Sequence, residues 1–449
     1  MPIETVPDTS LHYYLIAFNK NGKECDEGGR HLSQEVLNVL AKEPITDVFL
    51  FSHGWMGDIP ASRKQYNKWV AAMAANQADI ERMQQVHLGF RPLLIGLHWP
   101  SLPFGDETVN VAPASFDSSS GTPAEQWIDQ YADRLADTPA ARQALHTVFS
   151  AALEDIAPST LSPEVIQAYT VLDQEASLGC DRAAGAPGRD REPFDPETIF
   201  QNAEMEAVNF GGFDGGLLLA PLRTLSFWKM KDRARQFGET GGFQLLAKLQ
   251  QTTSDAVRFH LMGHSFGCIV VSATLAGPDG RGELVRPVQS IALVQGALSL
   301  WSYCSDIPVL PGQAGYFRAI ITDRKVTGPI LTTQSEYDTA VGTMYPLGAG
   351  VRQQIVYDPS ELPKYGGLGT FGACGPGLDI VSMNMLPKEI PYHFEPGKLY
   401  NLESSQYICD MSEGGLGGAH GDIAKPEVAH AVWSAAMHQS LHVSSKASD

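Results

Sequence analysis

At 449 residues and 48.6 kDa the chain is longer than one hydrophobic core usually grows, and its 43% hydrophobic content supplies a large interior. Its 51 acidic against 32 basic side chains, a formal net charge of -19, disfavour a nucleic-acid backbone or an anionic membrane surface as a partner. No apolar run is long enough for a transmembrane segment and the amino terminus lacks a secretory signal, so the expected location is cytoplasmic, unless a targeting peptide has been removed.

Residues 11–18, rich in aromatic and apolar side chains, predict a strand. Residues 31–42 predict a helix, with Leu32, Val36, Leu37 and Leu40 forming its apolar stripe. Asp47-Val-Phe-Leu-Phe51 is a continuous apolar run suited to a central parallel strand, and it ends in Ser52-His53-Gly54-Trp55. Residues 66–83 predict a helix and 91–97 another buried strand. This alternation predicts an α/β fold, a mostly parallel central sheet flanked by helices. After Pro100 the rhythm lapses: residues 101–124 are rich in Ser, Pro and Gly, 126–155 read as helical, and 179–191 read as a loop. We expect a cap insertion over 101–215, with helical character returning at 220–250.

Further strands are expected at 257–262, 288–296 and 329–333, while 316–322 reads as a strand or the end of a linker. Residues 345–395 read as an irregular, glycine-rich insertion. Residues 398–403 supply the last strand, and a terminal helix spans 427–438 behind Pro426. The expected organisation is a core of 1–100, 216–344 and 396–449, interrupted by the insertions 101–215 and 345–395.

Between the expected strand at 257–262 and the apolar segment that begins at Ile269 lies Gly263-His264-Ser265-Phe266-Gly267, a G-x-S-x-G nucleophile elbow. The motif needs a serine on a strained, exposed turn, and small residues where strand and helix nearly touch. A serine hydroxyl is nearly all protonated at neutral pH, so Ser265 needs an imidazole base, and the base needs a carboxylate to hold its tautomer. The chain order Ser, acid, His restricts both to positions after 265. His420 lies in the flexible turn Gly414-Gly-Leu-Gly-Gly-Ala-His420-Gly-Asp, between the last strand and the terminal helix, and is the expected base. His393 sits before the last strand, His430 and His438 suit structural or surface roles, and His264 is constrained by its own turn. Asp338, in the bend after 329–333, is the expected acid. Asp323 is the alternative, and Asp379 and Glu403 are weaker choices.

A tetrahedral intermediate also needs donors for its oxyanion. The backbone N–H groups of Phe266 and Trp55 are the candidates, Trp55 because its turn follows an early buried strand and Gly54 permits close approach. Cys268 reads as a buried helix residue rather than a second nucleophile, and the six cysteines form no paired metal motif. The machinery requires no cofactor and no metal: there is no H-E-x-x-H set, and Gly366-Gly-Leu-Gly-Thr-Phe-Gly372 lacks the strand, helix and lysine of a phosphate loop.

Together these motifs resemble the α/β-hydrolase superfamily, in its serine esterase and lipase branch, over segments 11–100, 216–344 and 396–440. The resemblance implies an α/β-hydrolase-like fold, and the large cap and loop insertions depart from a minimal member of the superfamily. It also implies ester hydrolysis through an acyl-enzyme on Ser265, His420 and Asp338, with Trp55 and Phe266 as oxyanion donors and a small-molecule or lipid-like acyl ester as substrate. An amidase, peptidase or thioesterase would use the same triad. A non-catalytic hydrolase-like binding protein is the more distant alternative.

Overall fold

The computed structural model describes residues 3–9, 11–26, 28–55, 58–102, 123–155, 158–178, 185–210, 217–344, 362–412 and 415–437. Among these residues the strands are β1 (Ile3–Thr5), β2 (His12–Ala17), β3 (Asp47–Ser52), β4 (Pro92–His98), β5 (Arg258–His264), β6 (Ser290–Val294), β7 (Ile330–Gln334), β8 (Ile380–Asn384) and β9 (Leu399–Glu403). They form one nine-stranded sheet in the order β1-β2-β4-β3-β5-β6-β7-β9-β8. The outer β1–β2 pair is antiparallel, and every other pairing is parallel. The protein is therefore α/β, with a mostly parallel mixed sheet.

The helices are α1 (Leu32–Lys42), α2 (Ile59–Ala75), α3 (Gln77–Val86), α4 (Pro123–Arg134), α5 (Pro139–Glu154), α6 (Pro163–Ala176), α7 (Pro196–Phe210), α8 (Ala220–Phe237), α9 (Phe243–Thr252), α10 (Gly267–Ala276), α11 (Arg318–Thr322), α12 (Leu368–Phe371) and α13 (Pro426–Ala436). A π-helical turn, Gly238–Gly242, joins α8 to α9. No helix of the described residues is long and apolar enough to cross a membrane.

Chain contacts divide the protein into two compact units. The first, Met1–Ser101, Ala234–Tyr345 and Gly366–Asp449, contains the sheet. Residues 47–52 are buried on both faces of β3, as a continuous apolar run requires in a central parallel strand. Phe49, Phe51, Met262, Val294 and Leu402 line one sheet face and share a core with Tyr66 and Trp69 of α2, Met83 of α3 and Trp433 of α13. The alternate residues Val48, Leu50, Leu261, Ile291 and Leu293 are equally buried, and α10 packs along β3 and β5 with all ten of its residues buried.

In the second unit, Leu102–Arg233 with Pro346–Tyr365, the elements of the described residues are helices. Pro139 and Pro163 open α5 and α6 behind Thr138 and Ser162, whose hydroxyls accept the N–H groups of Ala141 and Val165 at 3.1 and 3.3 Å. Trp127 and Tyr131 pack edge-on to Phe149 at 5.5 and 5.0 Å between ring centroids. A buried Lys231–Asp190 ion pair closes at 2.6 Å. This unit continues past residue 215, where the insertion is expected to end, to Arg233.

Several elements differ from the sequence reading. Residues 66–83 belong to two helices, α2 and α3, which meet at Asn76. Residues 126–155 likewise break in two before Pro139. Residues 316–322 form no strand: both edges of β6 are taken by β5 and β7, so the short apolar run closes its own helical turn as α11. Residues 345–395 are not wholly irregular, because they contain β8, a sheet edge whose residues are only half-buried or exposed and so carry no apolar run. His438 lies outside the described residues.

Candidate active site

From β3 the chain crosses to β4 on one side, and from β5 it crosses to β6 on the other. The crevice beyond the carboxyl ends of β3 and β5 is thus a topological switch point, the place where open α/β sheets bind ligands. Ser52 pairs with Gly263 in register, so the 53–55 turn and the serine turn leave the sheet side by side. Ser265 sits there between β5 and α10 with φ +55°, a left-handed conformation that an L-residue adopts at a cost of about 1–2 kcal/mol. Backbone bonds hold the strain in place. The Ser265 N–H donates to Val294 O at 3.2 Å, and Ser265 O accepts from Cys268 N–H and Ala297 N–H at 3.1 and 3.2 Å. A Cβ on Gly267 would run into the Ser52 carbonyl, and one on Gly54 would lie 2.6 Å from Ser265 Cβ and 3.2 Å from its Oγ. Both glycines are required by this close approach rather than by an unusual φ.

Asp338 is buried in the bend after β7, and its Oδ2 lies 2.8 Å from His420 Nδ1. The same Oδ2 accepts from Gln295 Nε2 at 2.9 Å, while Oδ1 accepts the Val341 N–H at 2.9 Å. Gln295 is itself locked: its N–H and Oε1 both bond the Thr333 hydroxyl, at 2.9 and 2.8 Å, and its φ is +44°. The loop that carries His420 is anchored on both sides. Ala419 N–H donates to Tyr337 O at 2.8 Å, and the following α13 is fixed by Trp433 Nε1–H to Met73 O at 3.0 Å and by a buried contact of His430 Nδ1 with Asp79 at 2.8 Å. His430 therefore serves packing. His393 is exposed.

The other carboxylates are engaged elsewhere. Asp323 is an exposed C-cap residue of α11 that accepts from the Thr322 hydroxyl at 2.9 Å. Asp379 is exposed, and Glu403 accepts the Ser405 N–H at 2.9 Å. Among the described residues no hydrogen bond joins Ser265 Oγ to the His420 ring. The His420 ring instead lies 4.8 Å, centroid to centroid, from that of His264, the residue before the serine.

His264 cannot serve as the base. Its Nε2–H donates to the His420 carbonyl at 2.9 Å, and its Nδ1 accepts from Gln65 Nε2 at 2.8 Å, so neither nitrogen is available to the serine hydroxyl. Burial, and then the adjacent His420, hold its protonation well below the ordinary histidine range. Cys268 is buried, donates to Gly263 O at 3.2 Å, and has its thiol pushed well above the ordinary range by burial, which leaves it inert.

The turn after β3 has a buried support that the sequence did not suggest. His53 Nδ1–H donates to Gly54 O at 2.8 Å, so Nε2 of the neutral ring accepts, from His98 Nδ1–H at 3.1 Å and Trp99 N–H at 3.4 Å. The Ser62 hydroxyl gives its proton to Asp58 O at 2.6 Å and stands 2.9 Å from His98 Nδ1, where it accepts. A trans peptide directs its C=O and N–H oppositely. Holding Gly54 O toward His53 therefore turns the Trp55 N–H the other way, and the Trp55 ring lies 5.8 Å from that of Phe266.

Burial, and then His98, push His53 down to about 3, and burial, partly offset by Asp58, pushes His98 down to about 4. The unfolded chain, whose histidines titrate near roughly 6.5, binds more protons than the folded one below that pH. The contribution of this pair is therefore complete above pH about 6.5 and fades toward the folded values, by up to about 1.4 kcal/mol per pH unit for each histidine. Denaturant unfolding at pH 7.5 and 5 is expected to show a smaller loss of stability on acidification for His98→Asn than for the unchanged protein; equal losses would contradict a neutral, buried pair.

A cleft of about 950 Å3 between α1, α9 and the loop after β2 contains none of Ser265, Asp338, His420, Trp55 or Phe266. Among the described residues no cluster of three or more His, Cys, Asp or Glu side chains could hold a metal ion. No protein-family model matches this chain, and neither does any curated protein or any solved structure.

Proposed function

We propose that the chain is a serine hydrolase of the α/β-hydrolase type that cleaves carboxylic esters. The observation that carries this reading is the left-handed Ser265 at the β3/β5 switch point, flanked by a half-buried His420 that meets the buried Asp338 at 2.8 Å. In the reaction, Ser265 Oγ attacks the acyl carbonyl while His420 Nε2 takes its proton, and Asp338 stabilises the imidazolium at Nδ1. The oxyanion is met by the Phe266 and Trp55 N–H groups. Collapse of the intermediate expels the alkoxide, which takes the proton from His420 as an alcohol. Water, deprotonated by His420, then attacks the acyl-enzyme; collapse of the second intermediate releases the acid, and Ser265 Oγ takes the proton back from His420. Catalytic hydrogen bonds are often long in ligand-free enzymes and tighten with substrate, so the Ser265–His420 bond belongs to the substrate complex.

Gly54→Ala tests the oxyanion part. The added methyl would crowd Ser265 and displace the Trp55 N–H, and loss of one oxyanion donor lowers kcat by about 10²–10³. KM should change little. An alanine variant with unaltered kcat would remove Trp55 from the reaction.

The leaving group is tested by a panel of short acyl esters, lipid esters, amides and acyl thioesters assayed side by side. Esters should dominate. Dominant amide or thioester turnover with negligible ester cleavage would replace the esterase reading with an amidase or thioesterase on the same residues.

A further inference from the structure

We propose that His264, the residue before the elbow serine, is a positioning residue that ties the catalytic-base loop to the nucleophile turn, with Gln65 fixing its tautomer. This rests on the serine-hydrolase reading above. The base loop is tied on the acid side by Ala419 N–H to Tyr337 O at 2.8 Å and on the nucleophile side by His264 Nε2–H to His420 O at 2.9 Å. The second tie acts on the catalytic histidine's own main chain. It fixes where the imidazole pivots, while Asp338 fixes how the ring is turned.

A histidine can donate from Nε2 and remain neutral only if Nδ1 is an acceptor. Gln65 satisfies that requirement from the middle of α2, with its Nε2 at 2.8 Å from His264 Nδ1. Trp69, one helical turn further along α2, stands edge-on to the His264 ring at 6.0 Å and 87°, which prevents the ring from swinging away. The helix that supplies both residues begins right after the 53–55 turn and is capped by Asp58, which accepts the Ala61 N–H at 2.7 Å. One chain of contacts, Gln65 to His264 to the His420 carbonyl, thus links the helix behind the proposed oxyanion turn to the base. The tie lies within the same machinery as the nucleophile but touches neither substrate nor reacting atoms.

Misplacing a catalytic group by about 1 Å can lower a rate by about 100-fold. The test measures kcat and KM on a chromogenic short-chain ester for His264→Phe, His264→Gln and Gln65→Leu. Phenylalanine keeps the ring and its contact with Trp69 but deletes the donor, and should lower kcat by about 100-fold with KM within about twofold. Glutamine has an Nε2–H in nearly the position of the imidazole donor and should restore most of that loss. Gln65→Leu leaves the elbow sequence intact and frees the tautomer, and should lower kcat by about tenfold.

A folded His264→Phe variant with kcat within about twofold of the unchanged protein would overturn the proposal. Should that variant not fold, Gln65→Leu decides by the same criterion. Failure of His264→Gln to recover more than His264→Phe would also overturn it, because a packing role does not depend on an N–H. The serine-hydrolase reading fails separately, when the unchanged protein and Ser265→Ala have equal ester activity.

Discussion

Asp338→Asn is expected to lower kcat by about ten-thousandfold while the protein stays folded. The carboxylate is surrounded by donors, with His420 Nδ1 and Gln295 Nε2 at Oδ2 and the Val341 N–H at Oδ1. An asparagine amide must oppose one of them. With its NH2 in the Oδ2 position it faces Gln295 and forces the His420 proton onto Nε2, the tautomer that cannot accept from Ser265. With its NH2 in the Oδ1 position it faces the Val341 N–H and leaves the imidazolium without a negative partner. Asp323→Asn, at an exposed helix end, should stay within about twofold of the unchanged protein, as surface substitutions usually do. Steady-state kinetics on one ester substrate compares the two. Loss of turnover in the Asp323 variant with retention in the Asp338 variant would reverse the acid assignment.

Ser265→Ala is expected to remove turnover by about six orders of magnitude, with only weak background catalysis remaining. Alanine keeps the Cβ and therefore the same strained φ of +55°, and the backbone bonds to Val294, Cys268 and Ala297 do not involve the hydroxyl. Its thermal midpoint should match that of the unchanged protein. An inactive variant that melts at the same temperature assigns the loss to chemistry. An active one would mean that another residue carries the reaction.

The sheet interior is legible in the sequence because β3 and β6 are buried on both faces and carry the unbroken apolar runs Val48–Phe51 and Ile291–Val294. The edge strand β8 is not, since one partner strand and partial burial impose no such pattern. In the helical unit, α6 and α7 could have been found from their starts. Ser162-Pro163 and Asp195-Pro196 each put a capping side chain before a first-turn proline, and Asp195 Oδ1 accepts the Thr198 N–H at 3.2 Å. They are hidden by flanking stretches rich in Gly, Pro and Ser.

At the candidate site, chain order and loop composition lead to Ser265, Asp338 and His420, and the fold joins the last two across 82 residues. The supporting shell was not legible. Gln295 meets Asp338 across 43 residues, His53 meets His98 across 45, and Gln65 meets His264 across 199. Each of those contacts depends on the strand order that brings the turns together, which no local pattern encodes. The one usable signal was Gln295 itself, a polar residue that directly follows a buried strand and precedes a glycine.

The most direct measurement is to treat the protein with a fluorophosphonate at near-neutral pH and map the modified residue by peptide mass spectrometry, with Ser265→Ala as the control. An activated nucleophile at the elbow predicts one stoichiometric adduct on Ser265, absent from the alanine variant. No adduct on Ser265 in the folded, uninhibited protein, or equal labelling of the alanine variant at another residue, would contradict it.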